Sequence, residues 1–230
     1  MKIAVIPARA GSKRILRKNI KEFNGRPMIG WAINAALESN LFDRIIVSTD
    51  DSEIAEISKS FGAEAPFMRP PDLADDITPT APVIKHAIGY FDDIGSAVEY
   101  VCCIYPCTPF LRGGDLVTAF EQMINEGADF VYPVAEYSHP IQRAMIINGV
   151  KMNFLNPEYE LSRTQDLQVT YYDVGQFYWG KSSAWLSEKK MHSAGTGFIV
   201  PGWRFVDIDN LNDWERAQVM MKCYESMKSV

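Results

Sequence analysis

The residues best suited to chemistry lie near the start of the chain. Ala8-Arg9-Ala10-Gly11-Ser12-Lys13-Arg14 gathers a glycine, a hydroxyl and three cations, and Lys18-Asn19 follows shortly after. Glycine lets backbone approach a ligand closely, N–H groups and serine can hold phosphate oxygens, and lysine and arginine offset their charge. This suits binding of a nucleoside triphosphate. The loop has neither the Walker spacing nor the Gly-x-Gly-x-x-Gly dinucleotide spacing. A second candidate is Asp207-Ile208-Asp209. Alternate residues of a strand share one face, so both carboxylates can reach one metal ion. Magnesium favours one or two carboxylates together with phosphate oxygens. The pair also reads as a solvated acidic edge. The threonines between Thr78 and His86 can serve a ribose or cap a helix, capping being the simpler reading. Arg163, in Ser162-Arg163-Thr164-Gln165-Asp166, can meet a substrate carboxylate or form a surface ion pair.

Other chemistries find no footing. There is no Gly-x-Ser-x-Gly elbow, and His86, His139 and His192 have no evident nucleophile partner. Cys102, Cys103, Cys107 and Cys223 form no Cys-x-x-Cys pair and read as small core residues with reduced thiols. Trp179, Trp185, Trp203 and Trp214 read as core or subunit contacts.

Positioning such a loop requires a sheet. Ile3-Ala4-Val5-Ile6 reads as a buried strand, with the basic loop at its carboxyl end, where open α/β sheets bind ligands. A helix from Pro27 to Glu38 follows, then a strand at Arg44–Thr49. A helix from Glu53 to Phe61 is capped by Asp51 or Ser52 and closed by Gly62. The spacing predicts a helix from about Thr80 to Phe91, a strand at Tyr100–Tyr105, a helix over Leu116–Asn125 and a strand at Phe130–Ala135. Asn148-Gly149 marks a hairpin between Gln142–Ile147 and Val150–Phe154. Strands at Gly175–Trp179 and Arg204–Asp209, a short helix near Ser183–Leu186 and a final helix opening at Asn212 with Glu215 in a capping box complete the chain. The fold class is α/β: a Rossmann-like, mostly parallel sheet flanked by helices. One domain spans 1–230, with a hairpin arm over about 138–170 suited to packing on a second subunit.

With 230 residues, 47% hydrophobic and 23% charged, the chain is of ordinary globular composition and can bury a sizeable core. A net charge of −6 argues against a nucleic-acid partner. Seven of the 23 basic residues nevertheless fall between Arg9 and Arg26, opposed there only by Glu22, a local field suited to a small polyanion. No apolar stretch approaches the roughly 20 residues that span a bilayer, and the N-terminal apolar run is too short for a signal-peptide core. A cytoplasmic protein without membrane contact is expected.

Residues 6–14, Ile-Pro-Ala-Arg-Ala-Gly-Ser-Lys-Arg, with Arg17-Lys18-Asn19-Ile20, resemble the signature loop of the acylneuraminate cytidylyltransferase family, which activates nine-carbon acidic sugars. Val47-Ser48-Thr49-Asp50-Asp51, Arg69-Pro70, Pro106-Cys107-Thr108-Pro109-Phe110-Leu111-Arg112 and Val206-Asp207-Ile208-Asp209 are similar in type and order, so the resemblance covers nearly the whole chain. Lys13-Arg14-Ile15 and Tyr105 depart from the sialic-acid members. Asp173-Val174-Gly175-Gln176-Phe177-Tyr178-Trp179-Gly180 and the Arg163 segment instead look like the branch acting on pseudaminic acid. Leu16 stands where that branch usually has proline.

The resemblance implies a nucleotidyltransferase-like fold and transfer of a cytidylyl group from CTP to the anomeric hydroxyl of the sugar acid, with release of pyrophosphate. It implies catalytic roles for Lys13, Arg14, Lys18 and Asp209. Ala8, Arg9, Gly11, Ser12, Lys13, Asn19, Arg69 and Thr80 would bind the nucleotide, and Asp207 and Asp209 would bind Mg2+. Tyr105, Thr108, Arg163, Gln165, Gln176 and Tyr178 would meet the acceptor, and a homodimer is expected. Displacement at phosphorus depends on positioning and electrostatic stabilisation, so it needs no well-placed histidine. Three other readings stay open: sialic or legionaminic acid as the acceptor, a nucleotide-sugar glycosyltransferase using Asp207-Ile208-Asp209 as its metal motif, and a nucleotide-binding module without activity.

Overall fold

The computed structural model describes residues 1–187 and 189–228. In chain order the elements are β1 (Lys2–Pro7), β2 (Glu22–Phe23), β3 (Arg26–Pro27), α1 (Met28–Ser39), β4 (Arg44–Ser48), α2 (Ser52–Ser60), α3 (Thr80–Asp93), β5 (Tyr100–Ile104), α4 (Gly113–Glu126) and β6 (Phe130–Glu136). They continue with β7 (Met145–Asn148), β8 (Lys151–Phe154), β9 (Tyr171–Asp173), β10 (Phe177–Lys181), α5 (Ser182–Leu186), α6 (Met191–Ala194), β11 (Gly195–Ile199) and α7 (Leu211–Lys228). The main sheet runs β11-β6-β10-β5-β1-β4, with β9 also paired to β6. β1 is parallel to both β4 and β5, β11 is parallel to β6, and β10 runs antiparallel between β5 and β6. This is the mostly parallel α/β architecture expected from the strand–helix alternation.

Alternation of side chains along β1 builds two cores. Ala4 and Ile6 face α1 and α4 with Ile29, Ile33, Leu116 and Met123, while Ile3 and Val5 face α3 with Ile84, Ile88 and Phe91. β1 is an interior strand between β5 and β4, and Ile3, Ala4, Val5 and Ile6 are fully buried, so its carboxyl end is a rigid point from which the basic loop departs. α1 and α4 approach so closely that a Cβ on Gly113 would stand 2.7 Å from the Ser39 backbone nitrogen, which is why glycine opens α4. A third cluster lies beyond the sheet ends. Ile15 and Phe23 from the basic segment meet Phe110, Val206, Ile208, Trp214, Ala217 and Met221.

Several expectations change. Residues 205–210 join no sheet, although their alternation survives: Val206 and Ile208 are buried, and Asp207 and Asp209 are not. The strand expected from Gly175 begins at Phe177, because Gly175 turns at φ 63°. α7 is capped by Asn210 and Asp213, whose side chains accept each other's backbone N–H at 3.1 Å, rather than by Asn212 and Glu215. α3 has no side-chain cap, so the threonines do not cap it. β9, β11, α6 and the β2–β3 pair escape a periodicity search. β11 reads Gly-Thr-Gly-Phe-Ile, without the apolar alternation of a strand, because β6 side chains crowd both glycines. Trp203 is 51% exposed, unlike the other three tryptophans noted above. Cys102 and Cys103 are buried as expected, whereas Cys223 is exposed; all four thiols are free. β7 and β8 pair only with each other, in a two-stranded sheet apart from the main one. Asn148 pairs with Lys151, so the turn falls on Gly149-Val150, one residue later than the expected Asn148-Gly149, because Gly149 takes the positive φ of 65°. No helix among the described residues is long and apolar enough to cross a membrane.

Asp51 ties α2 to the basic loop. Its carboxylate accepts the Glu53 and Ile54 N–H groups at 2.8 and 3.1 Å and pairs with Arg17 at 3.1 Å. Those bonds outweigh burial and hold its carboxyl below the usual range. The stabilisation is therefore full above the unfolded carboxyl pKa and lost as pH falls through the lower folded value. Asp51→Ala is expected to lower unfolding free energy by about 1–2 kcal/mol at pH 7, with the difference from native shrinking in acid, as read by urea denaturation across pH.

Candidate functional site

The loop leaving β1 is held at both ends before it meets any ligand. The Ala8 N–H donates to the Ser48 carbonyl at 2.9 Å. Asn19, 5% exposed, donates its amide to the Arg9 carbonyl at 2.9 Å, and its carbonyl oxygen accepts the Ile29 N–H at 2.8 Å. The Cys107 thiol, pushed up to about 11 by burial, donates to the Asn19 side-chain oxygen at 3.4 Å. Asn19 therefore shapes the loop from within. Between these anchors Arg9, Gly11, Ser12, Lys13, Arg14 and Lys18 line a cleft of about 510 Å³, with no atom packed over Gly11.

The loop's charges meet acids brought from elsewhere. Arg14 pairs with Asp209 at 2.8 Å, and Arg17 with Asp51 and Glu53. Arg9 pairs with Asp76 at 2.5 Å, and Lys13 bonds the same carboxylate. Lys18 donates to the Ile208 carbonyl at 2.6 Å. Asp76 escaped sequence reasoning, since one loop carboxylate among 29 acidic residues carries no local signal.

Asp207 and Asp209 form the facing wall. Val206 and Ile208 plug into the cluster around Trp214, leaving the alternating Asp207 and Asp209 to line the cleft. A nearly buried pair anchors this segment: Arg204 donates to Asp115 at 2.5 Å, each side chain 11% exposed. Asp115 also accepts the Arg112 N–H at 3.3 Å and so ties the segment to the start of α4. Partial burial, with Asp209 alongside, pushes the Asp207 carboxyl above its ordinary range although the residue is open to the cleft. No group of three or more His, Cys, Asp or Glu side chains suited to a metal occurs among the described residues. Two crowded carboxylates fit a hard cation whose remaining ligands come from water and phosphate oxygens, as magnesium's do.

Tyr105, Thr108, Val174, Gly175 and Gln176 close the third side. Asp173 builds this corner: it accepts the Gly175 N–H and the Tyr178 hydroxyl at 2.8 and 2.9 Å and contacts His192 at 2.8 Å. Tyr178 is itself buried, and its ring packs edgewise on Tyr105 at 5.5 Å. An adjoining cavity of about 330 Å³ holds Arg69 and Thr80 and shares Arg9, Asp76 and Tyr105 with the main cleft. Thr80 shares a hydrogen bond with the Tyr105 hydroxyl at 2.9 Å, and buried Arg69 donates to the Ser48 hydroxyl at 3.1 Å. Burial lowers the Arg69 pKa.

The fold thus brings together twelve of the expected residues around the main cleft: Arg9, Gly11, Ser12, Lys13, Arg14, Lys18, Asn19, Tyr105, Thr108, Gln176, Asp207 and Asp209. Arg69 and Thr80 stand beside them. Ala8 has its side chain in the core and its N–H engaged, so only its carbonyl is left to face a ligand. Tyr178 does not line the cleft itself but stands behind Tyr105 and Gly175, which do. Arg163 and Gln165 line neither cavity; Arg163, 72% exposed, pairs with Asp166 at 2.8 Å three residues on.

A family model described as cytidylyltransferase matches residues 3–191. The chain is 39% identical over 224 residues to a pseudaminic acid cytidylyltransferase of Campylobacter jejuni, with 96% of each chain covered. It is 28% identical over 230 residues to a CMP-N,N'-diacetyllegionaminic acid synthase of Legionella pneumophila, again with 96% of each covered. Among solved structures, CMP:2-keto-3-deoxy-manno-octonic acid synthetase complexed with CTP superposes at a TM-score of 0.72 with 17% identity, covering 97% of this chain and 99% of that one. At that identity the match speaks for the fold alone.

Breaking the Arg204–Asp115 pair leaves a nearly buried charge alone and frees the aspartate segment. Asp115→Ala is expected to destabilise the protein by roughly 2–4 kcal/mol in chemical denaturation. A loss under 0.5 kcal/mol (about the scatter of surface substitutions) would show that the apolar plug alone holds the segment.

Proposed function

The chain belongs to the cytidylyltransferase family, and on that premise we propose that it transfers the cytidylyl group of CTP to a nine-carbon sugar acid, pseudaminic acid. The observation that carries this is one cleft, at the carboxyl end of the buried strand β1, walled by loop cations on one side and two crowded carboxylates on the other. The anomeric hydroxyl oxygen attacks the α-phosphorus. A P–O bond forms, the bond to the β-phosphate breaks, pyrophosphate departs with the electron pair, and the hydroxyl proton passes to solvent.

Arg9, Gly11, Ser12 and Lys13 hold the β- and γ-phosphates, Arg14 adds charge, and Lys18 faces the α-phosphate as negative charge gathers there. Arg69 and Thr80, in the adjoining cavity, take the nucleoside, with Asn19 supporting the loop between. Tyr105, Thr108 and Gln176 orient the acceptor, with Tyr178 behind them. Magnesium bound by Asp207 and Asp209 would screen the phosphate oxygens.

Exposed apolar side chains on residues 138–170, among them Met145, Ile147, Val150, Met152 and Leu161, support an arm that packs on a second copy. An isolated hairpin is marginal by itself in water, which gives the partner a stabilising task. We place Arg163 and Gln165 at that subunit boundary. A reaction that consumes CTP belongs with the cytoplasmic nucleotide pool.

The deciding assay is pyrophosphate release from CTP and magnesium with pseudaminic, sialic and legionaminic acids side by side. Turnover with pseudaminic acid should exceed the others; a preference for sialic acid would overturn the choice of acceptor. Asp209→Asn should lower kcat about a hundredfold or more, and chelation should abolish turnover. Native-like turnover in that variant sinks the metal role. Light scattering should give twice the 25.9 kDa chain mass, and a monomer at micromolar concentration counts against the arm as a dimer element.

A further inference from the structure

We propose that Asp76 is an internal anion that exchanges with pyrophosphate, holding Arg9 and Lys13 in the empty cleft and returning to them as pyrophosphate leaves. The inference rests on CTP being the substrate of this cleft. Asp76 Oδ1 accepts Arg9 Nη1 at 2.5 Å, its Oδ2 accepts the Lys13 ammonium, and the neighbouring Asp75 carbonyl accepts the same Arg9 nitrogen at 2.7 Å. Two cations of the phosphate loop are therefore engaged by one carboxylate, and that carboxylate lines both cavities. Lys13 and Arg9 hold the Asp76 carboxyl below its usual range, so it stays charged near neutrality.

The loop is built to present this group without depending on it. Asp75 makes the turn, accepting the Ile77 and Thr78 N–H groups at 3.1 and 2.6 Å, and the Thr78 hydroxyl donates to the Asp72 carbonyl at 3.2 Å. Asp76 points its carboxylate at the cations instead, on a segment whose Ile77 is 87% exposed. Ion pairs this open to solvent, with Lys13 at 78% and Asp76 at 41%, are individually weak and exchange readily. A triphosphate carries several charges to the carboxylate's one, so it displaces Asp76. After the α–β bond breaks, pyrophosphate is held by the same cations against a tethered competitor whose local concentration never falls. Asp76 thereby weakens product binding and speeds release.

The sign of one binding constant tests this. Metal-free pyrophosphate is titrated calorimetrically into the native protein, Asp76→Asn and Asp76→Glu at low ionic strength. Asp76→Asn is expected to bind roughly tenfold more tightly, the size expected from losing two exposed ion pairs, with Asp76→Glu close to native. In turnover, Asp76→Asn should be more strongly inhibited by added pyrophosphate. Unchanged or weaker binding in Asp76→Asn overturns the proposal, since a residue that merely positions Arg9 and Lys13 would weaken binding when lost. A Glu variant that tightens as much as the Asn variant overturns the charge argument. Asp76→Ser serves the same comparison if the Asn variant fails to fold. Pyrophosphate binding to no version of the protein, with or without magnesium, would refute the CTP reading, and this inference with it.

Discussion

Positive charges crowded onto one loop repel, and the arrangement of this cleft answers that repulsion. Arg9, Lys13, Arg14, Arg17 and Lys18 leave the end of a single buried strand within ten residues of each other. Each meets a negative or partly negative group from a different segment: Asp76 before α3, Asp209 and the Ile208 carbonyl before α7, and Asp51 with Glu53 at the start of α2. Attraction to those groups fixes the path of the loop. It also leaves a surplus of positive field facing the cleft, because Asp76 alone answers two cations.

Apolar packing converts that attraction into geometry. Ile15 from the loop and Val206 and Ile208 from the aspartate segment enter one cluster around Trp214, whose ring meets Phe23 edge-on at 5.3 Å. Burying side chains of this size stabilises by roughly 1.5–3 kcal/mol each, more than an exposed ion pair supplies. The cluster therefore sets how far the cations stand from the carboxylates, and the ion pairs adjust within it. Loss of packing there would move both walls together.

The acceptor side is governed differently. β10 lies antiparallel between β5 and β6, and the chain reaches it through a turn at Gly175 that places Gln176 opposite Tyr105. Burial and the adjacent Asp173 push the Tyr178 hydroxyl far above its ordinary pKa, so it remains a hydrogen-bond donor throughout the working range. In the reading proposed here this corner distinguishes the sugar, while the loop and the aspartates carry out a transfer common to the family.

Reading the chain as a sequence determined whatever depends on local pattern. The buried strands at Ile3, Arg44 and Tyr100, the amphipathic helices between them, the presence of a hairpin near Gly149 (its turn one residue later than expected) and the basic loop were legible because periodicity and turn chemistry act over a few residues. The Asp207-Ile208-Asp209 alternation was legible as well, although the sheet expected to support it is absent and an apolar plug takes its place. Resemblance across nearly the whole chain supplied the base and the acceptor, which residue physics leaves open. Only the tertiary structure decided which charges meet. Arg9 lies 67 residues from Asp76, and Arg204 lies 89 from Asp115. A carboxylate's attraction leaves no periodic trace in the chain, so its partner becomes visible only once the sheet has brought the segments together.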